Sequence, residues 1–272
     1  MVISEKLKKE YEGIFNVFKR IPHVQIMPLN GSIYDVFDLA KPDIFIGLTS
    51  ELDDRIHNQL IKENPTTKIV LFGENPTIAP SLLCRKTTDA FGAIPCLFVK
   101  NHVDPYVDIG QKQKHLECDV AYINRGQRIN EAQYTWLFSL LDTPIRFRIY
   151  GISNPFIYNN VGIDSVSDCF ASAKLILDID GTSLLIPALN KVPVLSMIEN
   201  NLWAREKDYT KLAKKVETML AEPNNDLVNT NYNRISGYNT SFVYAMKICK
   251  EVGDEGYFNQ VVRLEKEVLC LE

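Results

Sequence analysis

No stretch of the chain approaches the roughly 20 consecutive apolar residues of a membrane-spanning helix. Nor does an apolar signal segment follow Met1-Val-Ile-Ser-Glu-Lys6, an absence that points to the cytoplasm. Cysteine pairing motifs are missing too. Cys84, Cys96, Cys118, Cys169, Cys249 and Cys270 are scattered with no C-x-x-C spacing, so they read as buried, reduced thiols. Histidine is scarce, and His23, His57, His102 and His115 lack zinc-type spacing with each other or with cysteine. Positive charge is not in surplus: 30 Lys and Arg stand against 34 Asp and Glu, for a net charge of −4 and an isoelectric point near 5.7. No global field therefore draws in nucleic acid or an anionic membrane. A G-x-G-x-x-G fingerprint is absent, which disfavours a dinucleotide dehydrogenase.

What is present is an ordinary folded composition, 46% hydrophobic and 24% charged over 272 residues. That length accommodates two α/β domains. Leu7, Tyr11, Ile14, Phe15 and Phe18 share one helical face over residues 4–20, with Ser4 as N-cap and Pro22 beyond the end. Strand-like runs at 24–27, 43–47, 68–73 and 93–99 alternate with helix-like ones at 32–40 and 52–63. Pro95 argues that the last run is an edge or begins a strand. The pattern lapses over 100–117 and restarts with strands at 119–123 and 145–150 around a helix over 129–141. Helices at 164–173, 209–220, 239–251 and 256–270 follow. Such alternation implies mostly parallel sheets. The simplest organisation is an N-terminal Rossmann-like domain over 1–110, a second over 111–250 and a closing helix over 251–272.

The richest stretch runs from Ser172 to Ser196. Leu175, Ile176 and Leu177 form a continuously apolar strand, as expected where helices cover both faces. Gly181-Thr-Ser183 then suits a helix start, where unpaired N–H groups attract phosphate, and Val192-Pro-Val-Leu195 re-enters the sheet. Upstream, Arg125 and Arg128 flank Gly126 on a strand-to-helix loop. Guanidinium forks match phosphate oxygens there.

Three segments in order resemble GT-B glycosyltransferases of the bacterial group-1, spore-maturation-type branch. Val99-Lys-Asn-His-Val-Asp-Pro-Tyr-Val-Asp108 is similar to the family's hinge segment, with His102 where the family prefers Gly and Asp108 where it prefers Phe. Asp119–Arg125 through Phe147–Gly151 resembles the opening of its C-domain, with Asn124-Arg-Gly-Gln-Arg128 as the diphosphate loop. Ser172–Ser196 resembles its donor-binding segment. The resemblance implies an α/β fold of two Rossmann-like domains facing across a cleft. It also implies transfer of a sugar from a nucleotide-sugar, a UDP-sugar foremost, without a required metal or other cofactor. Where many retaining members carry Glu at a helix start, this chain has Leu185-Ile-Pro-Ala188, leaving retaining or inverting chemistry open.

The donor-binding set read this way is Arg125, Arg128, Gly151, Asp180, Thr182 and Ser183, with Asn154-Pro-Phe-Ile-Tyr158 as a base-stacking loop. Asp178-Ile-Asp180 has the letters of a DxD metal motif, but its place before a GT-B-like turn favours a nucleotide-facing or capping role for Asp180. For the general base that an inverting transfer needs, Glu74 leads, Asp104 follows, and His102 and Asp35 are rivals. The acceptor is a carbohydrate or, alternatively, a hydroxymethylated DNA base, for which Arg85, Lys86, Lys100 and Lys112 supply a basic strip. A non-catalytic nucleotide-sugar-binding or scaffolding protein is the third reading.

Overall fold

The computed structural model describes residues 1–52, 54–88, 92–124, 126, 128–151, 160–161, 166–182 and 184–270. Arg125, Ser183 and the loop 154–158 lie outside that set. The chain divides into two compact units, Met1–Tyr106 with Asn239–Glu272, and Val107–Tyr238. None of the described helices is long and apolar enough to cross a membrane.

The first unit is built on six parallel strands: β1 (Val2–Ser4), β2 (Gln25–Met27), β3 (Ile44–Leu48), β4 (Lys68–Phe72), β5 (Leu82–Arg85) and β6 (Cys96–Phe98). Their order across the sheet is β2-β1-β3-β4-β5-β6, every pair parallel. Alternate residues of each strand face opposite sides, and both sides are packed. Ile44, Ile46, Val70, Phe72, Leu82 and Cys84 enter one core. Phe45, Ile69, Leu71 and Leu83 enter another with Met27, Ile33 and Phe37. Pro95 lies just before β6, which is an edge strand as the proline requires.

Residues 239–250, grouped with the second domain in the sequence reading, belong to the first unit. The reason is packing. Phe242, Tyr244, Ala245, Ile248 and Cys249 of helix Ser241–Glu251, with Val261 of helix Glu255–Leu269, are buried in the core that covers one face of the first sheet. The outgoing and returning segments are paired by backbone hydrogen bonds, Val103 N–H to Asn239 O at 2.9 Å and Ser241 N–H to Val103 O at 2.9 Å.

The second unit carries β7 (Cys118–Asn124), β8 (Phe147–Gly151), β9 (Asn160–Val161), β10 (Ala173–Asp178), β11 (Val194–Ser196) and β12 (Ala204–Arg205). The order is β12-β11-β10-β7-β8-β9, again all parallel. Val120, Tyr122, Leu175, Leu177 and Leu195 pack on Trp136 and Leu137 of helix Glu131–Phe138 and on Leu212 and Val216 of helix Tyr209–Ala221. Trp136 is a core residue, its indole N–H donating to Glu206 O at 2.9 Å.

Candidate functional site

In open parallel sheets, ligands sit beyond the carboxyl ends of the strands where the strand order reverses. In the second unit the chain builds outward from β7 through β8 to β9, then restarts on the other side with β10, β11 and β12. The reversal therefore falls between β7 and β10, whose carboxyl ends are Asn124 and Asp178.

After β7, the Asn124 side chain accepts from Gly126 N–H at 2.8 Å, and Gly126 adopts φ +96°, a conformation glycine takes without strain. The chain then enters helix Glu131–Phe138 through a capping box. Asn130 Oδ1 accepts from Gln133 N–H at 3.0 Å and Gln133 Oε1 accepts from Asn130 N–H at 2.9 Å. Gln133 also donates through Nε2 to Ile179 O at 3.2 Å, which ties this loop to the one after β10. Arg128 is exposed on the rim.

After β10, Asp178 is 1% exposed. Its Oδ1 and Oδ2 accept from Gly181 N–H at 3.1 and 3.0 Å, and Oδ2 also accepts from the Ser196 hydroxyl at 2.8 Å. Asp178 is thus an internal staple. Asp180 Oδ1 accepts from Thr182 N–H at 3.0 Å and from the Thr182 hydroxyl at 2.7 Å. Of the helix start expected at Thr182–Ser183, Thr182 lies in a turn and Ser183 is outside the described residues. Asp180 captures Thr182 in a local turn of the kind Asp side chains favour, and the helix spans only Leu185–Leu189, with Leu184 as an N-cap lacking a side-chain bond. No group of three or more His, Cys, Asp or Glu suited to a metal occurs among the described residues.

Gly151, at the end of β8 with φ +134°, brings together β7 and β8. A Cβ there would stand 2.2 Å from Asn124 O, so the backbone it admits closely is that of Asn124.

In the first unit the order reverses between β1 and β3. That crevice is filled by Glu51, a residue the sequence did not single out. Its carboxylate accepts from the Ser4 hydroxyl at 2.7 Å and from Leu48 N–H at 2.8 Å, and Lys6 Nζ lies 3.7 Å away.

Glu74 follows β4, and its carboxylate is engaged by three donors: the Thr87 hydroxyl at 2.7 Å, Lys86 N–H at 3.0 Å and Arg85 Nε at 3.0 Å. The Thr87 hydrogen bond foremost, with those from Lys86 and Arg85, holds its pKa below the usual value. Asp104 is buried, accepting from Asn16 Nδ2 at 2.7 Å and from Tyr106 N–H at 3.1 Å, and burial raises its pKa. Beside it, burial lowers the pKa of His102. His102 Nδ1 lies 3.0 Å from Lys100 O, an acceptor only, so Nδ1 carries the proton and Nε2 keeps its lone pair. The His102 and Asp104 side chains converge on Gly13, where a Cβ would meet His102 Nε2 and Asp104 Cβ at 3.2 Å each. Asp35 sits apart, in the first turn of helix Ile33–Ala40.

Of the residues read as a basic strip, Arg85 is buried against Glu74, Lys86 pairs with Glu10 at 3.8 Å, and Lys112 belongs to the other unit.

No protein-family model and no curated protein sequence matches the chain. Solved structures do. A glycosyltransferase from Rickettsia africae shares 9% identity over 98% of both chains, with a TM-score of 0.55. Anabaena HepE in complex with UDP shares 9% over 93% of this chain and 98% of its own, with a TM-score of 0.55. HepE in complex with UDP and glucose gives 9%, 85% and 86%, and a TM-score of 0.50. The chain therefore has the GT-B-like fold, α/β with two Rossmann-like units each built on an all-parallel sheet.

Proposed function

We propose that this protein transfers a sugar from a nucleotide-sugar, a UDP-sugar foremost, to an acceptor hydroxyl, with the donor seated at the β7–β10 reversal of the second unit. The observation that carries the reading is the convergence there of two polar loops, each with a positive-φ glycine, in a fold that also houses UDP in HepE. Arg128, with Arg125, supplies cationic forks to the diphosphate, and the Gly126 and Gly181 turns let backbone approach it. Asp180 and Thr182, on the loop after β10, serve donor hydroxyls. In the transfer, the acceptor oxygen bonds to the anomeric carbon as the bond to the diphosphate oxygen breaks. The departing charge is stabilised by the arginines.

Within the first unit, the candidate for the acceptor's general base is the His102–Asp104 pair. Burial keeps His102 neutral near pH 7, with the proton on Nδ1 and the lone pair on Nε2, the state a general base needs. Glu74 is less suited, because three donors already stabilise its charge. A second reading, donor binding without transfer, draws on the engagement of both Glu74 and Asp104 by protein donors. A DNA acceptor loses support with Arg85 buried.

Titration calorimetry against UDP-, GDP-, TDP- and ADP-sugars tests the proposal, followed by donor hydrolysis without acceptor. Binding of one donor, weakened at least tenfold in Arg125→Ala and Arg128→Ala, and slow hydrolysis are expected. Binding of none overturns it, and tight binding with no turnover leaves the second reading standing.

A further inference from the structure

A cavity of about 650 Å³ lies in the second unit where β7, β10 and β11 begin, the opposite end of the sheet from Asn124 and Asp178. Its floor is apolar, formed by Ala171, Val192, Pro193, Met219 and Leu220, together with the buried thiol of Cys118. Its rim is cationic: exposed Lys112, Arg146, Lys174 and Lys191 line it, with Glu117 the one acidic residue among the described lining. Asp119 answers two of those cations, lying 2.9 Å from Lys174 Nζ and 3.6 Å from Arg146 Nε. Four cations against Glu117 and Asp119 leave a surplus of two positive charges, and among the described residues Lys112 and Lys191 are the rim cations outside any ion pair. Lys191 is held in the left-handed region at φ +55° with its ammonium 4.4 Å from the Tyr232 ring centroid.

Small-molecule sites are concave and mostly apolar, with a few polar groups that fix orientation, and span roughly 300–1,000 Å³. This cavity has that size and that division of labour. We infer that it binds a small amphiphilic anion, with a phosphate or carboxylate head on the Lys112–Lys191 rim and an alkyl or ring body on the Met219–Leu220 floor. An inorganic anion alone leaves the floor wet, and a neutral amphiphile leaves the cations unanswered. The inference is independent of the sugar-donor reading, since it concerns the other end of the sheet.

The test is calorimetric binding of dodecyl phosphate below its micelle concentration to the full chain without any nucleotide-sugar, with inorganic phosphate and dodecanol as controls. Saturable binding of dodecyl phosphate is expected, at least tenfold tighter than either control. The exposed pair Lys112→Glu/Lys191→Glu should weaken it at least tenfold, and Met219→Glu should do the same by charging the floor. Binding no tighter than the controls, or binding untouched by the Lys pair, overturns the inference. Because both lysines are exposed, that variant keeps the test decisive even if Met219→Glu fails to fold.

Discussion

Asp178 holds Gly181 with both carboxylate oxygens, at 3.1 and 3.0 Å, while the hydroxyl of Ser196 on the neighbouring strand donates to one of them at 2.8 Å. One buried carboxyl group therefore fixes the turn after β10 and links it to β11. Asp178→Ala strands a buried hydroxyl and a backbone N–H, and should cost about 2–4 kcal/mol. Urea unfolding measures this directly. A loss below about 0.5 kcal/mol, the scale of an ordinary surface substitution, would show that the turn holds itself.

Two glycines separate backbone strain from crowding. Gly92 has φ +58° and open space around a virtual Cβ, whereas Gly151 has φ +134° and would put Cβ 2.2 Å from Asn124 O. Gly92→Ala should cost about 1 kcal/mol and Gly151→Ala about 3 kcal/mol or more. Thermal melts of the two variants compare them, and equal losses would refute the close-packing role of Gly151.

Acid should destabilise the first unit through His102. Burial puts its folded pKa below the ordinary 6.5, so the unfolded chain binds the proton more readily. The stability that His102 contributes is fully present above pH 6.5 and falls as pH drops from there toward the folded value. Asp104 acts with the opposite sign. Its raised pKa means that its contribution improves as pH falls through that value toward 3.8. His102→Gln should flatten the slope of stability just below pH 6.5. A slope unchanged in that variant would remove His102 from the account.

The rival bases are separated by turnover. Glu74→Gln should change donor turnover by no more than about threefold, whereas His102→Ala should reduce it by roughly 10²–10⁴. The reverse ranking, measured under saturating donor, would restore Glu74 to the role its sequence position first indicated.

Most of the fold was legible because continuous apolar runs such as Ile44-Phe-Ile46 and Leu175-Ile-Leu177 have few alternatives to a covered parallel strand. What escaped was short or polar. β1 is three residues that merge by pattern with the helix behind them, although Ser4 does cap the 3-10 turn there, accepting from Lys6 N–H at 3.3 Å. β5 follows Pro80-Ser81 and runs into Lys86-Thr-Thr88, so it reads as loop. Helix Asn225–Tyr238 is rich in asparagine, a poor helix former in isolation. It is anchored by burial of Val228 and Ile235 and by Asn231 Nδ2 donating to Leu202 O. At the site, the loops were readable but their internal economy was not. Asp178 finds Ser196, and Glu51 finds Ser4, only once strands distant in sequence lie side by side.

The return of residues 239–270 to the first unit sets an order of assembly. As the chain emerges from the ribosome, residues 1–106 appear first, yet their core still lacks Phe242, Tyr244, Ile248 and Val261. Residues 107–238 are complete before those side chains arrive. The unit begun first is the one finished last, so the core that helix Lys8–Phe18 shares with Phe242, Tyr244, Ile248 and Val261 stays incomplete while its neighbour folds. That interval is where a chaperone would find its purchase.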